Sequence, residues 1–477
     1  MGQEIHATAY QKADYQRFQQ RLHAETELLG KFIKDRGCSE APPVAGFEIE
    51  AWLVFDNMRP ASLNESYLQS LNHPMVGPEL AKFNVEMNTP PVSLIGDVLS
   101  IVHRDLGNTW KLAELHAQSM GLNLMMIGIL PTLEQRDLNL DNMSNLNRYR
   151  ILNEQVLKGR EKPIVLDICG HEHLRIEHHD VMLEAATTSF QLHIQCPLSI
   201  AHHFYNASIL ASAPMVALCA NAPYLFGKDL WMETRIPMFE QSVALGGYLG
   251  AAEGPLHRVS FGSDFVRHSI LECFTENLLH FPVLLPEVFD DAPELFSHLR
   301  LHNGTIWRWN RPLIGFDSDG TPHIRIEHRV PSAGPTVLDS IANAAFFYGL
   351  VKILCDECIA GRSDLSFAQA KDNFYQAARY GLDSHITWFG QRKLRLLHLI
   401  ESELMPCAEQ GLQLLGIDTG DSRVYLDIIR QRLAKQQTGS HWQRRFIEAN
   451  PGDFVGLTKL YLQQQRLGQP VADWRYS

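Results

Sequence analysis

Polar and apolar residues recur at helical spacing from residue 10 to residue 36, and the run Gly37-Cys38-Ser39-Glu40-Ala41-Pro42-Pro43 stops them. A helix is therefore expected to feed a first strand, GFEIEAWLVF (46–55), and a second extended run, FNVEMNTPPV (83–92), is closed by Pro90 and Pro91. Residues 94–120 return to helical spacing, and LNLMMIGILP (122–131) reads as a buried strand because it is short, apolar and bounded by Gly121 and Pro131. The asparagine-rich stretch 132–150 is expected to be loop, leading to IVLDICG (164–170) and the histidine-rich HEHLRIEHH (171–179). SFQLHIQCP (189–197) is a further strand, and residues 198–219 form an apolar helix ended by Asn221-Ala222-Pro223. From 227 to 325, glycine, proline and aromatic residues predict loops and short strands around a site. IRIEHRV (324–330) is the last clear strand, and after Gly334-Pro335 the spacing is helical to the end. The class is α+β, with a core in 1–350 and a helical region, 351–477, packed on it, since no Pro/Gly/Ser linker divides the chain.

Side chains of a strand alternate between faces, and that period sorts four of these runs alike. Phe47 and Ile49 oppose Glu48 and Glu50; Phe83, Val85 and Met87 oppose Asn84, Glu86 and Asn88. Phe190, Leu192 and Ile194 oppose Gln191, His193 and Gln195; Ile324 and Ile326 oppose Arg325, Glu327 and Arg329. Any one of these runs is explained by a half-exposed antiparallel strand. Together, on one sheet, they would set four glutamates, a histidine and two arginines on its polar face.

The 477 residues allow about three domains, or one large fold with additions. A net charge of −12, from 42 Lys+Arg against 54 Asp+Glu, argues against a general nucleic-acid binder. The start, MGQEIHATAYQKADYQRF, has no apolar core of the secretory kind. The most apolar run, residues 209–222, holds Pro214 and is too short to span a bilayer, so no membrane partner is expected. Eight cysteines lie scattered, without the spacing of a disulfide scaffold, which suits a reducing cytoplasm.

Glutamates at i and i+2 stand about 7 Å apart on a strand. Carboxylates packed so closely repel and take up protons unless cations sit between them. Oxygen ligands with one imidazole and open water positions suit Mg²⁺ or Mn²⁺. Such ions usually hold phosphates, and Arg329, two residues after Glu327, would stand beside them as a phosphate clamp. The constellation reads as phosphoryl transfer, with a solvated or structural face as the rival reading.

At these residues the chain resembles the glutamate-cysteine ligase family, in particular its carboxylate-amine ligase branch within the glutamine synthetase fold group. The motifs, in order, are GFEIE, FNVEMNTPPV, SFQLHIQCP, NAPYLFG followed by Arg235, and RIEHRVPSAGP leading to Asn343-Ala344-Ala345-Phe346, over about residues 44–350. The resemblance implies an antiparallel sheet curved into a cup, flanked by helices, with ATP and Mg²⁺ at its concave face. It implies Glu48, Glu50, Glu86, His193 and Glu327 as metal ligands, and Arg329 and Arg235 as groups that steady the transferred phosphate. Gln191 and Asn84 would contact metal, substrate or nucleotide. The implied reaction activates a glutamate-like carboxylate to an acyl phosphate, which an amine attacks. A kinase on the same cup and a non-catalytic nucleotide- or metal-binding regulator are the rivals. The amine and the oligomeric state are open.

Other signals are set aside. His171, His173, His178 and His179, with Glu172 and Glu177, read as a solvated loop and not a zinc site, because their spacing matches no ligand pattern and no cysteine pair accompanies them. Cys355-Asp356-Glu357-Cys358 lies in a helical run without the strand that precedes a redox motif. Gly246-Gly247 lacks the Gly-Lys-Ser/Thr of a phosphate loop, no Gly-x-Ser-x-Gly is present, and Met125-Met126 is read as core.

Overall fold

Strand β1 (Val44–Val54) is the centre of the sheet, because its eleven residues, alternately half-buried and buried over 44–51 and buried throughout over 52–54, are long enough to pair on both edges. The computed structural model describes residue 5 and residues 9–160, 163–243 and 257–476, so Gly246-Gly247 lies outside the described residues. With β2 (Val76–Pro78), β3 (Asn84–Asn88), β4 (Val92–Ser93), β5 (Asn123–Met125), β8 (Phe190–Cys196), β13 (Asn310–Phe316) and β14 (Pro322–His328), β1 forms an eight-stranded sheet. The order is β13-β14-β8-β1-β3-β2, with β4 and β5 also paired to β1. Every pairing is antiparallel and the sheet curls into a half-barrel, as the expected cup requires. Two-stranded pairs outside it are β6 (Ile164–Cys169) with β7 (His173–His178), β9 (Tyr224–Leu225) with β10 (Lys228–Asp229), β11 (Val259–Ser260) with β12 (Trp307–Arg308), and β15 (His385–Trp388) with β16 (Arg392–Arg395).

The apolar rows of the four strands face helices. Phe47, Ile49, Phe190, Leu192, Ile194 and Ile326 are buried in one core with the helices Ala201–Leu218 and Val337–Ile359. Phe47 stacks on Phe190 at 5.5 Å and meets Tyr348 of the second helix at 6.1 Å. Each such side chain contributes about 1.5–3 kcal/mol by leaving water. Both helices are apolar round most of their circumference, so they bury residues on every side instead of presenting one stripe. Val337–Ile359 is, among the described residues, the one helix long and apolar enough to cross a membrane, and 78% of its most apolar window lies buried inside the protein.

The same helix carries the chain across residue 350 without a break and anchors the C-terminal helices. At its crossing with the helix Met405–Leu415, Gly349 and Gly411 let the two backbones touch, and a Cβ on either would strike the other's helix backbone. Arg432 and Asp339, each at most 1% exposed, pair at 2.8 Å, and Arg432 also donates to Asn343 Oδ1 at 2.6 Å and Leu218 O at 3.0 Å. From the helix Phe454–Leu467, Gln465 donates to Met126 O and accepts from Met126 N, at 2.8 and 3.1 Å.

That last contact explains a departure from expectation. Only residues 123–125 of the run 122–131 are strand, because β5 meets β1 at Trp52–Val54 alone. Beyond it the backbone is satisfied by side chains, including Trp52 Nε1 to Ile127 O at 3.0 Å. The expected loop 132–150 instead opens a helix, Asn147–Arg160. The stretch 227–325 contains the helices Arg235–Ser242, Leu271–His280 and Ser297–Gly304 and the strand β13, whose Pro312 sits where the sheet ends and a proline is tolerated. IRIEHRV is not the last strand, since Gly390, with a positive φ of 73°, turns β15 back onto β16. The histidine-rich segment is a strand of a hairpin, not a loop: Ile164, Leu166 and Ile168 alternate inward and hold it to the protein.

Candidate active site

From the polar rows of β1, β3, β8 and β14, Glu48, Glu50, Glu86, Gln191, Arg325 and Glu327 line a cavity of about 290 Å³. Register brings them together: Glu48 stands opposite Gln191, Glu50 opposite Glu86, and His193 opposite Glu327. Two clusters result, Glu48–His193–Glu327 and Glu50–Glu79–Glu86, and within each one ligand atom per residue lies within 4.8 Å of the others.

In the first cluster His193 Nε2 approaches Glu48 Oε1 at 3.3 Å, yet among the described residues neither buried ring nitrogen makes a hydrogen bond. Arg311 grips both oxygens of Glu327, at 2.9 and 3.0 Å. Burial alone would raise the Glu327 pKa, but Arg311 and Arg329 beside it pull it well below the carboxylate range. Burial likewise opposes ionisation of Glu48, and the adjacent His193 overcomes it and holds that carboxyl low.

In the second cluster burial outweighs the favourable contacts, among them Asn88 Nδ2 donating to Glu86 at 2.9 Å and the charge of Arg329 near Glu50. Burial, then the charges of Glu48 and Glu79, pushes Glu86 up to about 8, and burial with the charge of Glu50 pushes Glu79 up to about 7. Glu50 is also raised, chiefly by burial, although it accepts from Ser189 N, Ser189 Oγ and Gln191 Nε2 at 2.7, 2.8 and 3.0 Å. Glu184, on the same cavity, is raised to about 7 by burial and then by Glu50. Carboxyls this close to neutrality at physiological pH are stabilised as anions by a cation. The donor set of oxygens with one orphaned imidazole fits Mg²⁺ or Mn²⁺.

Arg329 joins the clusters. Its Nη1 donates to Glu327 at 3.2 Å and to Gln191 Oε1 at 2.7 Å, and Gln191 in turn holds Glu50. Its Nε has no hydrogen-bond partner among the described residues. Asn84 lies buried in a side pocket of about 30 Å³ with its Nδ2 unsatisfied. Arg235 lines that pocket too, but its guanidinium is engaged: Nε donates to Glu233 at 3.2 Å, and the terminal nitrogens donate to Arg329 O, at 3.3 Å, and to Val330 O. It braces the backbone of Arg329.

Sequence reasoning missed Glu79, Glu184 and Arg311. Glu79 follows the three-residue β2 directly, too short a strand for alternation to be read. Glu184 sits in the 3₁₀ turn Val181–Ala186. Arg311 precedes Pro312 in a segment read only as loops and short strands around a site, although the alternation of Arg311, Leu313 and Gly315 against Pro312 and Ile314 was available.

The solved structures show where such a fold occurs. The chain is similar to a glutamate–cysteine ligase from Francisella tularensis crystallised with AMP, at 12% identity over 90% of each chain and a TM-score of 0.54, a likeness of fold. A bifunctional glutathione synthetase from Pasteurella multocida matches at 13% identity and a TM-score of 0.49, covering 89% of this chain and 52% of that one. Among curated proteins none matches. The glutamate-cysteine ligase family 2 matches residues 44–467, the sheet, both clusters and the C-terminal helices alike. The chain belongs to that family and so to the ATP-dependent carboxylate-amine ligases.

Proposed function

We propose that the protein activates a glutamate-like carboxylate with ATP as an acyl phosphate and joins it to an amine, in the manner of a glutamate-cysteine ligase. The observation that carries this is the pair of clusters on one concave sheet face with Arg329 tied to both. Glu48, His193 and Glu327 would hold one Mg²⁺ or Mn²⁺, and Glu50, Glu79 and Glu86 another. When bound, such ions neutralise the polyphosphate and the charge that develops as the phosphoryl group moves.

The side chains do the rest. Arg329, 12% exposed and with an uncommitted Nε, presents positive charge at the junction of the clusters, where it steadies the transferred phosphate. Gln191 fixes both Arg329 and Glu50, so its role is to set their spacing. Asn84, with a free amide nitrogen beside Glu50 and Glu184, is placed to donate to a substrate oxygen. Arg235 acts through the carbonyls it holds. The division at residue 350 is functional on this reading, since every residue lining the cavity lies at or before Arg329. Eight free cysteines favour the cytoplasm as the site of action.

The test is ADP release with glutamate fixed and amines varied, repeated with hydroxylamine as the nucleophile. Hydroxamate formation supports the acyl phosphate. A stable phosphorylated product would indicate a kinase, and amine-independent nucleotide binding without turnover a regulator.

A further inference from the structure

The outer face of the β6–β7 hairpin carries a third group of metal-ligating side chains, and none of its members lines the central cavity. We propose that Asp167, Cys169 and His173 form a surface site for a borderline divalent cation of the Zn²⁺ type, separate from the ligase site.

Strand alternation builds it. With Ile164, Leu166 and Ile168 turned inward, Asp167 and Cys169 share the exposed face. Cys169 is the register partner of His173. One ligand atom from each of the three lies within 4.8 Å of the others. The histidine-rich stretch has no ligand spacing and no cysteine pair of its own, and it is the pairing of β6 with β7 that brings Cys169 to His173. Of the eight cysteines, Cys169 is the one that is exposed.

The frame is braced. Asp167 exchanges two backbone hydrogen bonds with the Gln241 amide, at 2.7 and 3.1 Å, and Arg379 Nη2 donates to Cys169 O at 2.6 Å. Glu172, in the turn, accepts from Lys228 Nζ at 2.8 Å and from Asp229 N at 2.9 Å. The ligands are therefore already gathered, and little ordering entropy remains to oppose binding.

Donor softness separates this site from the sheet face. Thiolate, imidazole and carboxylate select Zn²⁺ over Mg²⁺, and three protein ligands leave a fourth tetrahedral position for water. Thiolate and carboxylate together carry two negative charges, which the dication balances, and the thiol proton leaves to solvent. The contacts that binding replaces are His173 Nε2 to Asp167 Oδ1 at 2.8 Å and Arg175 Nη1 to Asp167 Oδ2 at 3.2 Å.

The full chain, stripped with a chelator and titrated with Co²⁺, should show a thiolate-to-cobalt charge-transfer band in the near ultraviolet that saturates and is displaced by Zn²⁺. No cysteine lines the central cavity, so the band does not report that site. Cys169→Ser should abolish it. Asp167→Asn and His173→Ala should each weaken Co²⁺ binding at least about tenfold, with ADP release unchanged. Absence of the band at excess Co²⁺, or its persistence in Cys169→Ser, overturns the proposal.

Discussion

His193 and Glu327 are partners across β8 and β14, and the buried imidazole, its Nε2 3.3 Å from Glu48 Oε1, makes no hydrogen bond from either ring nitrogen among the described residues. A buried orphaned polar group costs about 1–3 kcal/mol, a cost that coordination to a cation removes. Binding of an ATP analogue should therefore require a divalent metal. Calorimetry is expected to give at least about a hundredfold weaker binding in EDTA than in Mg²⁺. Equal affinity in the two would remove the metal assignment.

Glu86 and Glu327 differ in what surrounds them, and matched substitutions should separate them. Glu86 lies among carboxyls, so Glu86→Gln should raise metal-free stability at pH 8, on the order of 1 kcal/mol. Glu327→Gln instead strips Arg311 and Arg329 of their buried counter-charge and should cost on the order of 3 kcal/mol. Both should cut turnover by at least about a hundredfold. Urea melts with an activity assay decide it, and stability changes of the same sign would refute the contrast.

The raised carboxyls also set a pH dependence. Folded Glu79 and Glu86 keep their protons up to about 7 and about 8, against an ordinary value of 4.5 in the unfolded chain. Between those limits the folded state binds more protons at these carboxyls, so their share of the metal-free stability should fall as pH rises from about 5 to 8. Buried His302 and His328 and half-buried His441, lowered by desolvation, work the other way below about 6.5, so the fall is cleanest from about 6.5 to 8. Glu233 and Glu240, buried away from the two carboxylate clusters and also raised to about 7, add to the slope. Mg²⁺ should flatten the share due to the clusters and leave that remainder. An identical slope with and without Mg²⁺ would sink this account.

The period of two was enough to find Glu48, Glu50, Glu86, His193 and Glu327, because alternation is a local property and each lies inside a strand long enough to show it. Glu79 escaped since it enters the cluster from beyond a strand end, through a pairing of β2 with β3 that no local pattern records. Arg235 was visible as an arginine near a motif, but its partners are carbonyls nearly a hundred residues away, and only the folded chain shows that they use up its donors. The hairpin site was obscured in the same way, since Cys169 and His173 are joined by register and not by spacing.

Arg235 offers the last test, because bracing a backbone and touching a phosphate leave different kinetic marks. Arg235→Met removes the donors to Arg329 O and Val330 O and leaves Glu233, 1% exposed, with the Asn221 N–H at 2.8 Å but without its guanidinium. If Arg235 positions Arg329, then kcat should fall by about 10²-fold, as misplacement of a transition-state group does. The KM values for nucleotide and carboxylate should change little, since neither touches the lost side chain. Arg235→Lys, which keeps a charge for Glu233 and a donor for one carbonyl, should recover part of kcat. A direct contact with the phosphate predicts otherwise: KM for ATP should rise in both variants, and lysine should recover kcat without restoring the stability lost on removing the carbonyl contacts. Joint recovery of stability and kcat in Arg235→Lys, with KM unmoved, is the outcome expected of a brace.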